Sequence, residues 1–175
     1  RFLNPRELSS TLEIKKITFE GNEHISRDKL MTEIKTDLGS EFNKEKIKND
    51  VKKIKEMGYF HKIEPYFKYY NDGIEVVFQL VENPLIREIN ITGNEIYDTV
   101  KIKEMLGIKT GEVLNINKLI EGRKNMKRIY YKDGFKLFSC QVYLSPSDVL
   151  NVKLDHSHIN EIIIKGNTKT RDYVI

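Results

Sequence analysis

Ile14-Lys-Lys-Ile17-Thr-Phe19-Glu-Gly21-Asn22 opens a pattern that the chain repeats twice more, as Ile86-Arg-Glu-Ile89-Asn-Ile91-Thr-Gly93-Asn94 and Ile159-Asn-Glu-Ile162-Ile-Ile164-Lys-Gly166-Asn167. The shared form is Ile-x-x-Ile-x-apolar-x-Gly-Asn, and its glycines, at 21, 93 and 166, stand 72 and 73 residues apart. Self-similarity at a fixed period of this size points to small domains in tandem. Within each copy, apolar residues at alternate positions before Gly-Asn describe a β-strand buried on one face and closed by a turn.

The residues after the first Gly-Asn read as two helices and two strands. Ser26 is an N-cap candidate ahead of an amphipathic segment bearing Leu30, Met31 and Ile34, which Gly39 ends. Asn43 caps a second helix, with Phe42 placed as a hydrophobic staple. Ile47, Val51, Ile54 and Met57 form its apolar stripe, and Gly58 stops it. Strands are expected over 62–70 and 74–81, joined by the turn Asn71-Asp72-Gly73. The unit is therefore β-α-α-β-β.

Counting from each signature glycine brings Ile102 onto Leu30, Leu106 onto Ile34, Gly111 onto Gly39, Leu114 onto Phe42 and Asn115 onto Asn43. Leu119, Met126 and Ile129 fall on Ile47, Ile54 and Met57. One stripe position departs: Arg123 stands where the first unit has Val51, and its long stem could snorkel out of the core. The second helix of this unit runs on through Tyr131, and its strands are expected over 136–144 and 149–154. The resulting division is a tail or linker over 1–12, a first domain over 13–83, a second over 84–156, and the start of a third over 157–175. That last piece holds a first strand and a helix start, too little to bury a core. The chain opens at Arg1 without a signal-peptide pattern and reads as a fragment of a longer protein.

Composition bounds the chemistry. Thirty basic and 26 acidic residues give a net charge of +4, a mixed surface without the strong basic field of most nucleic-acid binders. The single cysteine, Cys140, excludes an internal disulfide and any zinc site built on several thiolates, and reads as a small buried side chain. No nucleophile elbow, phosphate loop, dinucleotide fingerprint or His-Glu-x-x-His pair is present, so no catalytic residue, cofactor or metal is expected. His156 and His158 would share a strand face, but no third ligand stands near them, and they read as a solvated joint between units.

Two surface features invite a nucleic-acid reading: six lysines between Lys44 and Lys55, interleaved with Glu45 and Asp50, and the aromatics Tyr59, Phe60, Tyr66, Phe67, Tyr69 and Tyr70. The plainer reading is a solvated helix face opposite the stripe, with strand aromatics that fill the core. Pro65 is more telling. Proline donates no ladder hydrogen bond, so its strand is expected at a sheet edge, where an extended partner segment can be added.

The β-α-α-β-β repeat, its Gly-Asn openings, Gly111-Glu112-Val113-Leu114 before the second helix, Gly58-Tyr59-Phe60 after it and Val81-Glu82-Asn83-Pro84 into the next unit together resemble the POTRA (polypeptide-transport-associated) domains of BamA-type outer-membrane β-barrel assembly factors. The resemblance covers 13–175. It implies an α+β fold, each unit packing two helices on a three-stranded mixed sheet with the second strand at an edge. It also implies a non-enzymatic scaffold in the periplasm, ahead of a C-terminal membrane β-barrel in the same full-length chain. Such a scaffold binds unfolded outer-membrane β-barrel precursors, partly by strand addition, and docks accessory assembly lipoproteins. On this reading the client-binding edge residues are Ile63, Tyr66, Lys68 and Tyr70 in the first unit, and Leu137, Ser139, Gln141 and Tyr143 in the second. Glu82, Asn83, Pro84, Asp155 and His156 are the expected inter-domain hinges. The arm of a two-partner secretion or protein-import channel is the alternative within the same fold, and a nucleic-acid-binding module the alternative outside it.

Overall fold

A computed structural model describes residues 12–157. The signature stretch forms β1 (Ile14–Glu20), with Ile14 and Ile17 turned inward. Two helices follow: α1 (Arg27–Glu33), whose cap Ser26 accepts from the Lys29 N–H, and α2 (Lys44–Glu56), whose cap Asn43 accepts from the Lys46 N–H. The chain then runs through β2 (Phe60–Tyr70) and β3 (Gly73–Glu82). β3 lies in the middle, parallel to β1 with Ile17 opposite Val76, and antiparallel to β2 with Pro65 opposite Phe78. Both helices cover one face of the sheet. Ile14, Ile17, Leu30, Ile47, Ile54, Phe67, Val76 and Phe78 close the core between them.

The second unit repeats this with β4 (Glu88–Thr92), α3 (Thr99–Leu106), α4 (Ile116–Lys132), β5 (Leu137–Leu144) and β6 (Val149–Ser157), in the strand order β4-β6-β5. α4 is 17 residues long against 13 for α2. Its extra turn places Tyr130, fully buried, against Phe138 with ring centroids 4.0 Å apart. The chain thus forms two α+β units, each with two helices on a three-stranded mixed sheet.

The signature glycines have a steric reason. Gly21 and Gly93 sit at φ +87° and +76°, where a side chain is strained. A Cβ at either would stand 2.1 or 2.0 Å from the carbonyl oxygen of Leu80 or Leu154 on the central strand. Only glycine lets β1 and β4 turn away so close to their neighbours.

Three expectations are corrected. Asp50 does not belong to the solvated lysine face: it is 1% exposed, and its carboxylate accepts from the Lys35 and Thr36 N–H groups and the Thr36 hydroxyl, tying the loop after α1 to α2. At the matching point of α4 stands Gly122, pressed against Leu106 of α3, so the two units join their helices by different means. β6 extends past 154, which places Asp155 and His156 inside the strand, opposite Ser139 and Phe138. His156 consequently packs in the second core, 5.3 Å from the Phe135 ring, and is no solvated joint residue. Its acidic neighbour is Glu95 at 3.8 Å. Of the expected tail, Leu12 packs on the first core and its carbonyl accepts from the Phe42 N–H, and Ser157, expected to open the third unit, ends β6; residues 1–11, His158 and the rest of the third unit lie outside the described residues.

Candidate functional site

Among the described residues, β2 and β5 each pair on one side only, which leaves the other side open. Along β2 the side chains alternate. Phe67 is buried and Ile63 packs on the core, both on the helix side, while Tyr66, Lys68 and Tyr70 take the opposite face. There Lys16 of β1 lies over the Tyr70 ring at 5.2 Å. The eight expected edge residues therefore divide by face. Leu137, Ser139, Gln141 and Tyr143 all lie on the exposed face of β5, with Leu137 62% and Tyr143 58% exposed.

A feature that sequence reading missed is the groove between each edge strand and the second helix. In the first unit it holds about 300 Å³ and is lined by Lys44, Ile47, Lys48 and Val51 of α2 with Pro65 and Phe67 of β2. Its walls are apolar and the two lysines rim it. Strand addition at β2 would carry alternate side chains of the added segment into this groove, because successive residues point to opposite faces. The signal was present in the stripe itself. Val51 is only partly buried, so the stripe is wider than its helix needs for the core.

In the second unit the corresponding groove, about 250 Å³, is lined by Ile120, Arg123, Lys124, Lys127, Phe138 and Cys140. The Arg123 side chain leaves the core, as its stem allows, and its guanidinium donates to the Cys140 carbonyl at 2.8 Å. Burial pushes the Cys140 thiol up from its ordinary range, which keeps it in the unreactive protonated form.

The lysines of α2 largely have acidic partners. Lys46 meets Asp37 at 3.1 Å, Lys53 meets Glu56 at 2.9 Å, and Lys48 and Lys52 lie 3.9 Å from Glu45 and Glu56. Four of its six lysines thus lie within 4 Å of a carboxylate, Glu56 serving two of them, which leaves a mildly basic helix face of separated charges. Phe60 and Phe67 are buried and the Lys29 ammonium sits over the Tyr59 ring, while Tyr69 and Tyr70, on opposite faces at the end of β2, are exposed.

The junction between the units is ordered by hydrogen bonds. Asn83, 6% exposed, donates from Nδ2 to the carbonyls of Gly58 at 2.9 Å and Leu114 at 2.8 Å. Its own N–H donates to the Tyr59 carbonyl. Asn115 caps α4 through Oδ1 and, from Nδ2, donates to the Met57 carbonyl; Asn117 donates to Glu56 and the Ile116 N–H to Gly58. Of the carbonyls left over at the C-terminus of α2, those of Glu56 and Met57 are thus satisfied by the N-terminal turn of α4, while those of Ile54 and Lys55 accept from the Met57 and Gly58 N–H groups. The two dipoles meet with opposite partial charges. Glu82, the last residue of β3, accepts from the His24 and Ile25 N–H groups and holds the turn after β1. Of the expected hinge residues, Asn83 fastens the joint, Glu82 is a strand residue, and Pro84 offers its carbonyl to the Leu114 N–H.

The two units match, over residues 12–83 and 84–155, the family model POTRA, described as a surface antigen variable number repeat. The outer membrane protein assembly factor BamA of Nitratidesulfovibrio vulgaris is 27% identical over 131 residues, 75% of this chain and 17% of that protein. The chain thus spans under a fifth of that relative's length. Among solved structures, the N-terminal domain of Omp85 from Thermosynechococcus elongatus superposes with a TM-score of 0.70 at 18% identity, covering 93% of this chain and 74% of the other. Domains POTRA1-2 of the periplasmic domain of Omp85 from Anabaena give a TM-score of 0.59 at 18% identity, covering 85% and 98%. At these identities the structural likeness speaks for the fold.

Proposed function

The chain belongs to the POTRA family, and from that premise we propose that its two units are a client-binding scaffold of an outer-membrane β-barrel assembly protein. As POTRA domains of the BamA and Omp85 type, they are a periplasmic portion of an outer-membrane protein. The scaffold has no catalytic role. It receives extended segments of unfolded outer-membrane precursors and passes them toward the membrane β-barrel of the same full-length chain, with accessory assembly lipoproteins docking on the array.

The observation that carries this reading is the apolar groove beside the open edge of β2. Backbone hydrogen bonds to an edge make few sequence demands, while the groove rewards one apolar side chain in two, which is the pattern of a membrane β-strand. The Asn83 joint supports it further, because a stiff connection holds the β2 and β5 edges at a set spacing.

The test is an amide chemical-shift titration of the isotopically labelled chain with a synthetic peptide copied from an alternating apolar membrane strand. Shifts along 60–70 and at Ile47 and Val51 are expected, and Val51→Arg, which removes an apolar wall of the groove, should weaken the binding. Unchanged signals along both edges at millimolar peptide would refute the proposal.

A further inference from the structure

We propose that the second unit's edge selects extended segments carrying an acidic side chain, with Arg123 as the selecting residue. The inference rests on the strand-addition reading above and distinguishes the two units within it. They share a fold and a groove, yet the side chain at one stripe position differs in kind. Val51 leaves the first groove apolar, whereas Arg123 crosses the second and holds the Cys140 carbonyl of the edge strand.

A segment added along β5 lies where this guanidinium lies, so it must displace the hydrogen bond to Cys140. Arg123 is exposed, and water can take over its donors, so displacement by itself is cheap. An incoming carboxylate does more. It offers the guanidinium a charge-assisted, two-pronged partner in place of a neutral carbonyl, and it leaves that carbonyl free for the added backbone.

The charge around the site favours such a ligand. Lys124 is already held by Glu121 at 2.8 Å, but neither Arg123 nor Lys127 has a carboxylate partner among the described residues. Ile120 and Phe138 form the apolar remainder of the groove, so the fitting segment alternates an acidic with an apolar residue on one face. The first groove, rimmed by Lys44 and Lys48 but floored by Ile47, Val51, Pro65 and Phe67, takes apolar side chains throughout.

The test uses four peptides of one alternating sequence, titrated into the labelled chain. One carries Glu at the central groove-facing position, the second Gln there, the third Glu moved by one residue, and the fourth an apolar residue. Because Gln offers the guanidinium only a neutral amide oxygen, the Glu peptide should bind the 137–144 edge about tenfold more tightly than the Gln peptide. Its binding should weaken with salt, and it should move the Arg123 Nε–H signal. Shifting Glu by one residue turns it to the other face, and the advantage should vanish. Arg123→Gln should abolish the preference, and Arg123→Val should let the apolar peptide bind along 137–144.

Equal affinity of the Glu and Gln peptides for the β5 edge would overturn the inference. So would an advantage that survives the one-residue shift, which would mark mere attraction to a basic surface. If peptides bind along 60–70 without discrimination along 137–144, the selectivity fails and strand addition stands. If no peptide binds along either edge, both fail.

Discussion

Replacing Asn83 should uncouple the two units. Its side chain reaches both of them, donating to Gly58 behind α2 and to Leu114 ahead of α4 at 2.9 and 2.8 Å, in a setting 6% exposed. Asn83→Ala removes two buried hydrogen bonds, each contributing about 1 kcal/mol net. Gly58 keeps the Ile116 N–H as a donor, but the Leu114 carbonyl loses its side-chain partner at a further cost of about 1 kcal/mol. The sum is about 3 kcal/mol, a large share of the 5–15 kcal/mol that stabilises a typical domain. Because that energy sits between the units, its loss should appear as lost cooperativity. Urea unfolding monitored by amide signals of each unit should change from one shared midpoint to two. Residual dipolar couplings should need separate alignment tensors for the units. Asn83→Asp is the sharper variant, since it sets a carboxylate against two carbonyls at almost unchanged shape. Its defect should ease in acid, where the protonated carboxyl regains one donor. A shared midpoint within about 0.5 kcal/mol of wild type, together with one alignment tensor, would refute the reasoning.

Three further outcomes follow from other parts of the fold. The Thr18 hydroxyl, 2.6 Å from Glu75, and the Lys16 ammonium at 3.1 Å hold the Glu75 carboxyl below its ordinary range. A depressed folded pKa stabilises above the unfolded value and is lost as pH falls through the folded one. Glu75→Gln should therefore cost about 1–2 kcal/mol at neutral pH and nothing in strong acid, as chemical denaturation across pH would show. Burial pushes the Tyr130 phenol up to about 12, and its hydroxyl has no hydrogen-bond partner among the described residues. The second unit should lose stability as pH rises from the ordinary tyrosine value of about 10 through about 12; Tyr130→Phe should remove that loss and stabilise the unit by about 1 kcal/mol at pH 7. Gly122→Ala sets helix propensity against sterics: alanine gains about 1 kcal/mol, but its Cβ would stand 2.4 Å from the Leu106 carbonyl oxygen. Backbone cannot yield as a side chain can, so a net destabilisation of about 2 kcal/mol is expected from thermal unfolding, and a rise in stability would contradict the close helix approach.

The repeat determined the architecture before any contact was known. Strand period, the caps Ser26, Asn43 and Asn115, the turn at 71–73 and the stripe on α2 are local, each set by neighbours within a few residues, and so they are legible one residue type at a time. Pro65 marked an edge because a missing N–H is a property of the residue alone. Contacts made across long separations were a different matter. Asp50 read as one more charge among lysines until the loop after α1 proved to need its carboxylate. His156 read as a linker residue until β6 ran on beneath Tyr130 and Phe135. Asn83 looked like a hinge, because three hydrogen bonds to Gly58, Tyr59 and Leu114 leave no trace in its own neighbourhood. Arg123 was visible as a departure from the stripe, but its partner, the Cys140 carbonyl, is a backbone atom that any sequence would supply. The residues by themselves determined which elements form and in what register. Tertiary packing decided which polar groups are buried with partners, because the cost of an unpaired polar group is settled only by what the fold brings against it.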